Sequence, residues 1–296
     1  MTYYVIIRSI RLVLKIILAV LLIYAVVFAL TRFSDFGQTD LAIEEAFIKT
    51  GVGYTANKYN QGKNRIQFIS VGEKSRPMVL FIHDAPGDWS TFLPLMADKE
   101  LADGKYLVAV DRPGYGATVG PSVPTLGAQV KALTPILSLA TGKVILVGHG
   151  YGSAIATEIA RARPDKVASL VLVAPNISPE GEAREGWKEF GITLSKIPLF
   201  HQLLNPVLMT ASSELASLPN EIRGVESEFG TIALPVTVIS GKRDLISSIT
   251  NAEYVSSYFT GAEVATKQIS AGHLISQNHS SVIKDAILDQ PEIIPQ

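Results

Sequence analysis

Cysteine is missing from all 296 residues, which removes disulfides, thiolate nucleophiles and cysteine-ligated zinc from consideration. Charge is sparse as well. Charged residues make up 18% of the chain against 47% hydrophobic ones, too much apolar surface for a disordered polymer. Acid is absent from residues 1–32, which carry Arg8, Arg11, Lys15 and Arg32. The other 22 of the 26 basic residues share the remainder with all 27 acidic ones, so the body of the chain is mildly acidic. That balance gives no reason to expect a nucleic acid as partner. No histidine–carboxylate cluster has metal-ligand spacing, and no cofactor is called for. The length suits one large α/β domain or two small ones.

Long apolar runs are also absent, with one exception. Ile16 to Leu30 reads IILAVLLIYAVVFAL, fifteen residues without a charge. Extended to residues 12–33 the segment reaches roughly 33 Å as a helix, enough for a hydrocarbon core. Three basic residues precede the run and one follows it. The positive-inside rule then puts the N-terminus in the cytoplasm and the main domain outside it, in the periplasm if the cell is bacterial. The expectation is a single-pass signal anchor over residues 1–33, with the membrane as its partner. A cleaved signal peptide is the competing reading, with small residues around Val27-Phe28-Ala29. A buried core helix is disfavoured because the run has no polar face.

Residues 34–64 are polar and mixed, with Gly51, Gly53 and the stretch 57–63 as breakers, and read as a linker with short N-terminal elements. Beyond them, β-branched runs at 65–71, 77–83, 106–110, 143–147, 169–173, 236–239 and 263–269 alternate with helical patterns. The helical patterns fall at 125–140, 153–163, 251–259 and 280–288. This alternation predicts an α/β fold, a mainly parallel sheet with helices on both faces. Residues 178–233 break the alternation, with Trp187, Phe190, Leu199, Phe200 and 203–209 in short amphipathic pieces. They read as a small helical cap inserted into a core formed by 65–177 and 234–296.

The run 143–147 enters Gly148-His149-Gly150-Tyr151-Gly152-Ser153-Ala154 and then a helical pattern. A strand, a sharp turn and a helix, with glycines flanking a central residue, is the context of a nucleophile elbow. Gly148 and Gly152 serve there because helix and strand approach too closely for side chains. Four further pieces follow the same order: His83-Asp84-Ala85-Pro86-Gly87, Asp111-Arg112-Pro113-Gly114-Tyr115-Gly116, Gly241-Lys242-Arg243-Asp244 and Ala271-Gly272-His273. Together the five motifs resemble those of the α/β-hydrolase superfamily over about residues 65–290. The resemblance implies that Asp244 orients His273, that His273 is the general base, and that backbone N–H groups of Ala85 and Tyr151 face an oxyanion.

The central elbow position holds Gly150, which has no hydroxyl, thiol or carboxylate to offer. Asp84 stands where the family has glycine and brings negative charge toward the oxyanion hole. Ser153 lies in the first helical turn and is expected to pack there, its hydroxyl pointing away from His273. Asp84 as nucleophile or base is the other candidate. Glycine at the elbow relieves a backbone strain of about 1–3 kcal/mol for a residue with a Cβ, while removing the nucleophile. His83 and His149 read as hydrogen-bonded strand-end residues, His201 and His279 as packing or surface residues, and Asp111 as a turn-former. Two functions follow, beside a third reading as a scaffold whose cap surface contacts other membrane proteins. One is a pseudoenzyme derived from an ester or amide hydrolase, binding a partner or a small apolar or ester-like ligand under the cap. The other is a hydrolase without a covalent intermediate, in which His273–Asp244 activates water. Restoring serine at 150 is expected to rearm the first.

Overall fold

The computed structural model describes residues 2–32, 36–180 and 205–290. Trp187, Phe190, Leu199, Phe200, His201 and Leu203 lie outside the described residues. Eight strands form one sheet in the order β1-β2-β4-β3-β5-β6-β7-β8. They are β1 (Tyr54–Gln61), β2 (Asn64–Val71), β3 (Met78–Ile82), β4 (Tyr106–Val110), β5 (Val144–His149), β6 (Val167–Val173), β7 (Val236–Gly241) and β8 (Val264–Ile269). Pairing from β4 through β8 is parallel, and β1 and β2 join the edge as antiparallel neighbours.

The central strands are apolar on both sides because both faces are covered. In β3, Met78, Leu80 and Ile82 belong to one buried cluster and Val79 and Phe81 to the other. Helices α5 (Leu126–Leu133), α6 (Tyr151–Ala162), α7 (Pro206–Val225) and α8 (Thr250–Tyr258) supply the first layer. The second comes from α2 (Asp40–Thr50), α3 (Leu93–Met96), α4 (Lys99–Gly104) and α10 (Ser280–Leu288), with the short α9 (Ile275–Asn278) before it. The loops that follow β3, β4, β5, β7 and β8 leave from one end of the sheet, and that end carries the five motifs.

Strand β1 was not legible as a strand. Residues 57–63 read as breakers because Asn57, Lys58, Asn60 and Gln61 are polar, yet they extend a full ladder from Tyr54↔Val71 to Gln61↔Asn64. An edge strand with one face in water needs little apolar content. Residues 34–64 therefore hold a helix and the first arm of a hairpin. The helix expected over 125–140 stops at Leu133 and tightens into a 3₁₀ turn, Thr134–Leu139, at Pro135, which has no N–H to continue the α ladder. Helix α1 (Thr2–Arg32) contains the apolar window Ile7–Val26, long enough to cross a membrane by length and composition. A signal sequence would pass the same test.

Candidate active site

Strand β5 turns into helix α6 at Gly150, whose φ of +56° lies in the left-handed region, which residues with a Cβ enter at a cost. Gly152 sits under the same turn, and a Cβ there would stand 2.1 Å from the Ile82 carbonyl oxygen. Ser153 is fully buried and donates its hydroxyl to Gly148 O at 2.8 Å. It packs the elbow and presents nothing to the site.

Asp84, in the loop after β3, reaches across to the elbow. Its Oδ1 accepts from the Tyr151 amide at 2.7 Å, and its Oδ2 lies 2.8 Å from His273 Nε2. On the other side of the ring, His273 Nδ1 lies 2.8 Å from Asp244 Oδ2. Asp244 is held in turn, its Oδ1 accepting from the amides of Ile246 and Ser247 at 2.8 and 2.9 Å. A Cβ on Gly150 would meet the Asp84 carboxylate at 2.1 Å. The carboxylate thus fills the space that a side chain at 150 would occupy and accepts the Tyr151 amide. Ala85 is buried next to Asp84 in the same loop. Asp84, Gly150, Tyr151, Asp244 and His273, separated by up to 189 positions, meet in one place.

Burial is the largest influence on both charged partners and opposes ionisation of each. The paired interactions overcome it. Hydrogen bonds and charge from His273, aided by the Tyr151 N–H, hold the Asp84 carboxyl well below the usual carboxylate range. Against burial, hydrogen bonds to Asp244 and Asp84 and their two charges push His273 up to about 10. His273 is therefore an imidazolium at neutral pH, with both nitrogens donating. The positive end of α6 further favours the anion at its first amide. His149 goes the other way: burial first, then the charge of His273, brings it down to about 4. As a neutral ring it donates Nε2–H to the His273 carbonyl at 2.9 Å.

Two residues that the sequence did not single out hold this loop. Arg112 is fully buried and donates from Nε to His83 O at 3.1 Å and from Nη2 to Asp84 O at 3.0 Å. Its guanidinium also forms a fork with Glu214 of α7, at 2.9 and 3.0 Å. The Tyr115 hydroxyl donates to the same carboxylate at 2.7 Å. His83 accepts the Arg112 amide on Nε2 and donates Nδ1–H to Asp84 O at 2.7 Å; burial, then the neighbouring Arg112 charge, keep it neutral. Arg112 belongs to a turn motif and Glu214 is 102 positions away, so no local pattern announces the pair. Asp111 behaves as a turn-former, accepting from the amides of Trp89 and Ala117, both at 2.9 Å. Among the described residues, no group of three or more His, Asp or Glu side chains is arranged to hold a metal ion.

The paired site makes stability depend on pH. A histidine raised from about 6.5 unfolded to about 10 folded contributes fully below pH 6.5, and the contribution is lost as pH rises through 10. Asp84 has the opposite sign: its contribution is present above about pH 4 and is lost as pH falls through its lower folded value. The unfolding free energy of the chain in detergent, from urea titrations, should therefore fall between pH 6.5 and 9.5, by at most about 1.4 kcal/mol per pH unit for one proton. Asp84→Asn should flatten that decline, because His273 keeps only Asp244. Parallel pH profiles for the two chains would contradict the assignment.

Comparison with known proteins agrees with the geometry at the level of the family. Lipase LipV of Mycobacterium tuberculosis is 40% identical over 76 residues, 25% of this chain and 29% of the lipase. Human epoxide hydrolase 4 is 30% identical over 123 residues, 39% of this chain and 33% of that protein. The alignments thus span about a third of these relatives. A solved membrane phospholipase A, a bacterial virulence factor, shares the fold with a TM-score of 0.63 at 18% identity. That likeness covers 98% of this chain and 100% of the phospholipase. The Alpha/beta hydrolase family profile matches residues 79–275, more than half of the sequence. The chain belongs to the alpha/beta hydrolase family.

Proposed function

We propose that this chain is a membrane-anchored family member that does not carry out serine acyl transfer, and that its site binds small apolar ligands rather than hydrolysing esters. One observation carries the reading: the Asp84 carboxylate is bonded to both the Tyr151 amide and His273 Nε2, in the space of an elbow side chain. Three requirements of serine chemistry then fail together. Gly150 supplies no hydroxyl, the oxyanion donor is spent on Asp84, and the base already carries its proton. The water-activating alternative needs a bare Nε2, which Asp84 and a value of about 10 deny it while the carboxylate stays in place.

Because a Cβ at 150 collides with Asp84, serine alone will not rearm the site. Gly150→Ser should remain inert toward aryl esters and a fluorophosphonate probe. The double variant Asp84→Gly/Gly150→Ser should gain both ester turnover and labelling, and should lose turnover when His273→Ala is added. Removing one member of such a site typically costs 10³–10⁶-fold, so the gain should be of that order. Ester hydrolysis by the native chain that disappears in His273→Ala would refute the proposal.

A second reading is favoured by the ionised state of Asp84 and its 16% side-chain exposure. A carboxylate can itself be a nucleophile, and several relatives are named as epoxide hydrolases. In this reading Asp84 Oδ2 bonds to a ring carbon of an epoxide, the carbon–oxygen bond of the ring breaks, and the alkoxide takes the Nε2 proton of His273. The alkylated Asp84 has lost its charge, so neutral His273, still paired with Asp244, can take a proton from water. The hydroxide so formed adds to the Asp84 carboxyl carbon, while the Tyr151 amide steadies Oδ1. The ester carbon–oxygen bond then breaks, and the departing alkoxide takes the proton of the new carboxylic acid and leaves as the diol. Asp84 is again a carboxylate beside protonated His273. A single turnover of styrene oxide in oxygen-18 water tests this by mass spectrometry of the Asp84 peptide. Incorporation into Asp84 supports the covalent route, and an unlabelled peptide leaves the binding role.

A further inference from the structure

We infer that the mouth of the site faces the lipid bilayer that holds α1, and that its ligands arrive from the lipid rather than from water. The inference rests on the anchor reading of α1 and is independent of what Asp84 does chemically. Covalent geometry sets the first limit. Four residues lie between Arg32, the end of α1, and Gly37, and the five Cα-to-Cα steps that join them span at most about 18 Å. Gly37 is not free to wander from the site. Its backbone lies against the Asp88 carboxylate, so close that a Cβ would stand 1.9 Å from Asp88 Oδ2. The next amide, Gln38 N, donates to Ser90 Oγ at 2.7 Å, and Ser90 donates its amide to Asp88 Oδ1 at 2.8 Å. Asp88 and Ser90 belong to the loop that carries Asp84. The tether therefore ends on the site loop itself, at the end of the sheet where the β7 and β8 loops also emerge.

Those loops present the surface a bilayer would meet. Leu245 and Ile246 directly follow Asp244 and are 62% and 61% exposed; Leu274 directly follows His273 and is 53% exposed. Large apolar side chains in water on two adjacent loops are costly unless something covers them. Lys242 and Arg243 are exposed beside them, cations placed for anionic headgroups in a chain body that is otherwise acidic. Leu41, four residues beyond Gly37, is exposed as well. An apolar rim edged with cations, a few residues from a membrane-length helix, fits a lipid surface.

The absence of cysteine makes the test direct. Ile246→Cys and Leu274→Cys, each labelled with an environment-sensitive fluorophore, are compared with Ser138→Cys in the full chain, reconstituted in phosphatidylcholine–phosphatidylglycerol vesicles. Ser138 lies near Arg163 and Lys166, away from the site loops. The site-face labels should be quenched several-fold more strongly by shallow nitroxide lipids than the Ser138 label, and less by aqueous iodide. A chain that resists alkaline carbonate washing while iodide reaches all three labels equally would overturn the docking and leave the anchor standing. Release by the wash would overturn both. Neither outcome touches the ester and fluorophosphonate readouts, so the failure of this inference is distinct from failure of the proposed function.

Discussion

The carboxylate of Asp84, held between the first amide of α6 and the ring of His273, sets the protonation and the accessibility of everything around it. Each partner alone would be costly to ionise at this depth, and only their mutual attraction and hydrogen bonds make the charges tolerable. The same arrangement explains Gly150. A positive φ favours glycine at any elbow, but here the lack of a Cβ is also required by Asp84, whose carboxylate would collide with one at 2.1 Å. The two positions are therefore sterically coupled: the Asp84 carboxylate stands where a Cβ at 150 would be, so a side chain can enter there only if that carboxylate moves or is removed.

The loop bearing Asp84 is fixed from behind by a buried ion pair. Arg112 ties the carbonyls of His83 and Asp84 to Glu214 of α7. An arginine fork satisfies both carboxylate oxygens, which makes a buried pair tolerable where a single contact would not. Its consequence is mechanical: α7, which lies within the stretch read as a cap, and the site loop share one fully buried guanidinium. A ligand that shifts α7 would pull on the backbone that aims Asp84. From the front, the chain leaving α1 binds the same loop through Gly37 and Gln38. Asp84 thus stands where sheet, helix α7 and the N-terminal segment meet.

Much of this is legible in the sequence. Alternating β-branched and amphipathic runs placed seven of the eight strands, and five short motifs named the residues that converge on the site. What the sequence withheld has physical causes. Strand β1 is polar because it lies at an edge, so its ladder to β2 leaves no hydrophobic trace. Asp84 was recognisable as an intruder near the oxyanion hole, but its occupation of the space above Gly150 depends on two loops 66 positions apart meeting in three dimensions. Arg112 sits in a turn motif and Glu214 lies 102 positions away, and only the fold shows that they pair and that both are fully buried. Restoring serine looked sufficient from the sequence because the collision with Asp84 is invisible there.

Two carboxylates clamp His273 as an imidazolium, Asp244 on Nδ1 and, on Nε2, Asp84, which fills the space that a Cβ at 150 would take. Long-range nitrogen–proton NMR of the histidine ring, in the full chain at pH 8, tests it most directly. Both His273 nitrogens should carry protons, with titration displaced toward pH 10. In Asp84→Asn the ring should titrate at distinctly lower pH. A native His273 with one bare nitrogen at pH 8, titrating near the ordinary value of about 6.5, would contradict the account.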